Sequence, residues 1–261
     1  MTAERIRTIL RGTVAILVVA ALYEVTARSG MFPRALMPTL GKVGSTLVDL
    51  LADGTMLRHA FYTLYRMLSG FALAVAIGLP LGILMGRYRA VENFFLPLTS
   101  ALMPIPSLAW VPVFILWFDL GNMATIMIVL YAATFPMVLS AWSGMRAVNR
   151  LWLRAAGAMG ADENALFWKV ILPGASPFLI TGLRQAFLRA WIAVVGAEML
   201  AASDWGLGWV IYDSKEFLNV DVMLASVAVI GVIGFAFERL VFGSLERATV
   251  QRWGMVRAAK G

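Results

Sequence analysis

Apolar residues run through this chain in blocks of roughly 18–25, separated by short polar or basic segments. A helix of about 20 apolar residues spans the roughly 30 Å hydrocarbon core of a bilayer. In lipid, only helices and closed barrels satisfy their own backbone hydrogen bonds. Such blocks therefore predict an all-α, polytopic membrane protein. Composition agrees: 61% of residues are hydrophobic and 14% charged, against about 45–50% and 25% in soluble domains. A water-soluble enzyme is excluded.

Six spans are placed, at about 12–25, 62–86, 94–118, 124–142, 177–200 and 222–241. The first follows Arg5, Arg7 and Arg11 but lacks a small-residue cleavage site, and is read as a retained anchor. The third carries Pro97, Pro104, Pro106 and Pro112. Breaks of this kind persist in a membrane only where protein or a wet cavity re-satisfies the freed carbonyls, so this span is expected in the interior. With the amino terminus in the cytoplasm, the inward segments 1–11, 87–93, 146–173 and 243–261 carry thirteen Lys/Arg, and the outward segments carry five. This positive-inside bias places both termini in the cytoplasm. It also accounts for the net charge of +7 without any nucleic acid. The whole chain, 1–261, is read as one transmembrane domain.

Two connecting segments exceed mere turns. Between residues 38 and 53, Leu40, Val43, Leu47, Leu50 and Leu51 recur at helical spacing, with Gly54 as a stop. This predicts an amphipathic helix on the outer face, packed on the bundle. The cytoplasmic loop at 146–173 is far longer than the usual helix–helix connection of about 2–8 residues. It reads as two short helices: one over about 149–159, stopped at Gly160, and a second capped by Asp162, with Pro173 forbidding continuation. Ala155, Ala156, Gly157, Ala158 and Gly160 give the first helix a smooth surface that another protein can approach closely.

This loop resembles the signature of permease subunits of bacterial ATP-binding-cassette (ABC) importers: Glu-Ala-Ala, a glycine four residues on, and Ile-x-Leu-Pro nine residues later. Here Ala155, Ala156, Gly160, Val170, Leu172 and Pro173 match in spacing, and Arg154 stands where the signature has glutamate. The stretches 63–71, 104–112, 115–118, 197–200 and 206–208 extend the resemblance over nearly the whole chain. They look closest to the branch importing sulfonate, taurine, nitrate or bicarbonate. The resemblance implies a six-helix type I importer permease that pairs with a second permease copy, a homodimer. Its further partners would be two ATPase subunits and an extracytoplasmic solute-binding protein, in the bacterial inner membrane. Arg154, Ala155, Ala156, Gly157, Ala158, Gly160, Ala161, Leu172 and Pro173 would couple it to the ATPase. No phosphate-binding loop Gly-x-x-x-x-Gly-Lys-Ser/Thr is present, so ATP and Mg belong to the partner, and the chain is expected to hold no cofactor or metal and to catalyse nothing itself.

Charged residues inside spans are costly and commonly functional. Arg66, Arg184 and Glu198, with Trp110, Trp117 and Trp191, are the candidate pathway residues. Arg66 is placed near the start of its span, within reach of an interface. Arg184 and Arg189 are five positions apart and cannot share a helix face, so one of them at most faces a pore. His59 is read as interfacial, without chemistry. An ion-coupled secondary transporter is the alternative, and a membrane enzyme ranks below both because cysteine is absent and His59 is the only histidine.

Overall fold

A computed structural model describes residues 3–202 and 204–246, and the basic stretch from residue 247 onward lies outside them. The chain is helical throughout the described residues. Helix α1 (Ala3–Arg28) leads to α2 (Leu40–Ala52), the expected amphipathic helix. Thr39 caps α2, its hydroxyl accepting from the Lys42 amide. Val43 and Thr46 of α2 are buried, and the helix ends at Gly54, whose φ of +80° is left-handed. Tyr23 and Glu24 of α1 hold the entry to α2 through the Pro38 carbonyl and the Leu40 amide, each at 2.8 Å.

Among the described residues, four helical stretches are long and apolar enough to cross a bilayer: α3 (Thr55–Arg87), α6 (Asn122–Ala147), Glu163–Ala201 and Val220–Leu245. Before α6 come α4 (Arg89–Leu102) and a 3-10 turn at Ser107–Trp110 that runs into α5 (Val111–Phe118).

The centre of the molecule is an α3–α6 seam of small residues. Gly70, Ala74, Gly78, Gly82 and Gly86 recur every four positions on one face of α3. Added methyl groups would meet α6 at Val129 (2.7 Å), the Thr134 carbonyl (3.0 Å), the Val138 carbonyl and Met145 in turn. The contacts ascend together along both helices, so α3 and α6 are parallel. Small residues at every fourth position let backbones approach in a membrane, where association rests on dispersion contact rather than water expulsion. On its other side, α6 packs antiparallel to α9 (Leu172–Ala201): Gly182 lies against Ser140, Gly144 against Phe178, and the Gly121 amide donates to the Ala201 carbonyl at 2.7 Å.

Parallel α3 and α6 require the chain between them to cross back. The start of α4 is tied to the end of α6 by an Arg146–Glu92 ion pair at 2.5 Å, while the segment after α5 meets Ala201 at the opposite end. The return is made by two helices bent by 88° at Met103–Pro106. Pro104 and Pro106 withhold two amide donors at the bend, and Pro106 is extended. Pro97 and Pro112 sit inside α4 and in the first turn of α5, where they break nothing. Phe94, Leu116 and Trp117 of this span are exposed in the single chain, whereas Thr99 and Val111 are buried. Counted as one span, the bent pair makes a fifth among the described residues, and α1 lies where the first of the six expected spans is placed.

At the end where α3 and α6 terminate lie α7 (Arg150–Ala158) and α8 (Glu163–Leu166), as the sequence predicts. Pro173 does not end the second helix. A π-helical turn at Phe167–Ile171 joins α8 to α9, with the Leu172 amide donating to the Phe167 carbonyl five residues back. The wider turn gives the proline ring the space that a regular turn denies it. At the other end, α10 (Leu207–Glu216) leads into α11 (Val220–Ala236), which runs antiparallel to α9 with Gly234 against Trp191.

Replacing Gly82 by Leu should destabilise the seam by about 3 kcal/mol, read as lost monodisperse protein and a lowered melting temperature in detergent. Gly231→Ala, where nothing stands within 4 Å, should leave both unchanged.

Candidate functional site

Helix α7 stands out from the bundle. Asn149 caps it through the Leu151 amide at 2.9 Å. At its end, Ala161 donates to the Ala156 carbonyl and Gly160 to that of Gly157, with Gly160 at φ +85°. This is a Schellman stop, and its left-handed residue explains why a glycine occupies position 160. Asp162 then caps α8, accepting from Ala165 at 2.8 Å. Arg154, Ala155, Gly157, Ala158 and Gly160 are exposed, Ala156 and Ala161 half-buried, and Leu172 and Pro173 half-buried at the root of α9. Around Gly157 and Gly160 there is open space. Leu151, Trp152, Met159 and Trp168 are also exposed, with Met159 at 82%. Arg154 makes no ion pair or hydrogen bond among the described residues.

The α7–α8 loop is attached firmly to the bundle. Phe167 is buried with Met145, Val148 and Ala175, linking the loop to both α6 and α9. Arg87, at the end of α3, lies over the Phe167 ring at 4.4 Å and donates to Asn164 at 3.1 Å.

The candidate pathway residues do not converge. Only Arg66 and Glu198 meet, at 2.9 Å, and both are fully buried. Helix α3 begins at Thr55, so Arg66 lies three turns inside rather than at its edge. Thr63 donates to Glu198 at 2.9 Å and accepts from the Leu207 amide at 2.8 Å. The Gly208 amide donates to Glu198 at 2.9 Å. Arg66 also donates to Asn122 at 2.7 Å and to the Trp205 carbonyl. His59 is buried rather than interfacial: its Nδ1 accepts from Gly206 at 3.1 Å and its ring stacks on Trp209. Together these bonds fasten the segment 205–208 to α3 and α9. Gly206, at φ +148°, lies so close to the Glu198 carboxylate that no side chain fits.

Trp191 is buried in the core against Phe187, whereas Trp117 is 65% exposed. Trp110 packs on Tyr131 with its indole N–H unpartnered. Arg184 pairs with Glu238 at 2.9 Å. Of Arg184 and Arg189, at most one of which the sequence allows to face a pore, the one beside a cavity is Arg189. This residue faces a cavity of about 350 Å³ between the α4–α5 bend, α6 and α9. The signal is present in Glu238, an opposite charge in the next span that accounts for Arg184 and leaves Arg189 alone. Among the described residues, no cluster of His, Cys, Asp and Glu suits a metal ion.

The family model for the binding-protein-dependent transport system inner membrane component matches residues 78–249. A putative ABC transporter permease of Methanocaldococcus jannaschii is 40% identical over 73% of this chain and 71% of its own length. The taurine transport system permease protein TauC of Escherichia coli is 37% identical over 71% and 67%. The fold is similar to that of an inward-facing MetNI methionine ABC transporter structure, with a TM-score of 0.61 at 20% identity over 74% of this chain and 95% of that one.

Breaking the buried pair by Glu198→Met or Arg66→Met alone should cost about 3–5 kcal/mol, because each leaves an uncompensated buried charge. The double variant Arg66→Met, Glu198→Met should recover much of that loss, and a thermal-melt double-mutant cycle in detergent reads it directly.

Proposed function

This chain belongs to the family of binding-protein-dependent transport system inner membrane components, as an ABC transporter permease that crosses the membrane several times, and from that premise we propose that it forms the translocation pathway of an ATP-driven importer of a small organic or inorganic anion. The observation that carries the coupling mechanism is α7: a rigidly rooted helix with an exposed face of small residues, bordered by apolar side chains that water does not favour. Its occupant is a separate ATPase subunit that supplies ATP and Mg. The exposed guanidinium of Arg154 replaces a carboxylate at this surface without disturbing the small-residue face.

The assembly is two copies of this chain, two ATPases and an extracytoplasmic binding protein, in the bacterial inner membrane with both termini in the cytoplasm. ATP binding closes the ATPases and, through α7, favours an outward-facing pathway, and hydrolysis restores the inward-facing one. A ligand shifts such an equilibrium only by its difference in affinity between the two states. The lever therefore needs stiffness, which Phe167, Arg87 and the Schellman stop give it. The substrate class follows the sulfonate, taurine, nitrate and bicarbonate branch. Ion-coupled secondary transport is disfavoured because the carboxylates within the spans are engaged, Glu198 in a fully bonded network and Glu238 in a pair with Arg184.

Gly157 is the informative position to alter, because Gly160→Glu would also strain a left-handed residue. Gly157→Trp should leave expression and melting temperature unchanged, since space surrounds it. It should abolish binding-protein-stimulated ATP hydrolysis and uptake in proteoliposomes containing the ATPase. Gly157→Ala should retain both. Full uptake by Gly157→Trp would sink the docking role.

A further inference from the structure

The cavity at the α4–α5 bend is open to one side and lined mainly by apolar groups, including Pro104, Ile105, Phe135 and Ile192. Its lining on α6 spans Tyr131–Pro136, and on α9 Arg189–Ala193, near the middle of both helices. It therefore sits at mid-depth, beside a discontinuous span whose backbone has left the helical ladder. Arg189 is the only charged residue in its lining. Among the described residues Arg189 forms no ion pair and no hydrogen bond. Ser107, at the bend, adds a hydroxyl to the same wall.

Of the other arginines in the spanning helices, Arg66 is bonded to Glu198 and Asn122, and Arg184 to Glu238. A guanidinium held at mid-depth without a carboxylate is expensive and has five N–H donors to satisfy. The volume suits a small solute and no macromolecule. We infer that this cavity is an anion subsite of the translocation pathway, in which Arg189 binds the oxyanion of a small sulfonate- or carboxylate-bearing solute and Ser107 helps to orient it. The inference rests on the importer reading and adds the residue that recognises charge. Arg189 is exposed at the open side of the cavity, and its planar fork of donors matches such an oxyanion with paired hydrogen bonds.

The chain contains no cysteine, so a single Ser107→Cys substitution places one thiol in the cavity. The probes are the anionic 2-sulfonatoethyl methanethiosulfonate and its cationic trimethylammonium analogue, applied to the full chain in detergent. The introduced thiolate attacks the reagent's sulfenyl sulfur, forming a mixed disulfide and releasing methanesulfinate. The anionic-to-cationic rate ratio should fall at least about tenfold when Arg189→Gln is added, and recover with Arg189→Lys. A Ser45→Cys control on α2 should show no such change. A ratio at position 107 unmoved by Arg189→Gln would overturn the subsite. In proteoliposomes with the ATPase and binding protein, Arg189→Gln should reduce taurine or bicarbonate uptake at least about tenfold while basal ATP hydrolysis persists. Uptake equal to that of the unaltered chain would also overturn it. An unaltered chain that shows no ATP-driven uptake would instead sink the importer reading, and the labelling ratio would then decide by itself whether the cavity selects anions.

Discussion

The bonded pair of Arg66 and Glu198 is the constraint around which the end of the bundle opposite α7 is arranged. Removing two charges from water costs several kcal/mol per ion, and their attraction offsets this only when the remaining donors and acceptors are satisfied as well. Here they are. Glu198 receives Thr63, Arg66 and the Gly208 amide, while Arg66 also reaches Asn122 and the Trp205 carbonyl. Those partners come from α3, α6, α9 and the 205–208 segment, so the pair fixes four parts of the chain to one another. The requirement propagates outward: Gly206 and Gly208 are glycine because the carboxylate and the α9 backbone leave no room for a side chain. A conventional apolar contact at this place would hold the helices together without specifying where that segment lies.

The same balance sorts the other intramembrane charges. Arg184 finds Glu238 across the contact between α9 and the last span, and serves the packing. Arg189, five residues later, emerges on a different side and has no such neighbour. Helical periodicity alone separates the two arginines, and the sequence shows this much. Which of them faces the cavity depends on the antiparallel placement of the last span, a relation between residues some 50 positions apart.

Legibility in the sequence follows the range of the interactions involved. Local signals are readable: the α2 stripe with its Gly54 stop, α7, the Gly160 left-handed turn and the Asp162 cap all depend on residues within one or two turns. The glycine-rich end of α3 is visible as composition, but its role as a seam requires α6. Pro173 misleads because a proline ordinarily ends a helix, whereas here a π turn absorbs it. In the third span the prolines report the break at Met103–Pro106, but not which neighbour covers it. The hydropathy block beginning at Tyr62 puts Arg66 and His59 at an edge, while the helix itself starts seven residues earlier at Thr55.

The molecule divides into a stiff part and a lever, and the division follows from contact chemistry. Every glycine in the α3–α6 seam is in contact too close for sliding, and α6 is equally close to α9 at Gly144 and Gly182. The ends of these three helices away from α7 are tied by the charge network, and the ends nearest α7 by Phe167 and Arg87. A displacement applied at α7 therefore has no soft joint within α3, α6 and α9 to absorb it. It enters the block directly, since α7 lies in the connection between α6 and α9. The weakly packed elements are α1 and the bent α4–α5 pair, whose apolar side chains face outward. On the proposed mechanism, opening and closing take place where the stiff block meets those peripheral helices and the second copy. The cavity holding Arg189, walled by both the block and the bend, lies on that boundary.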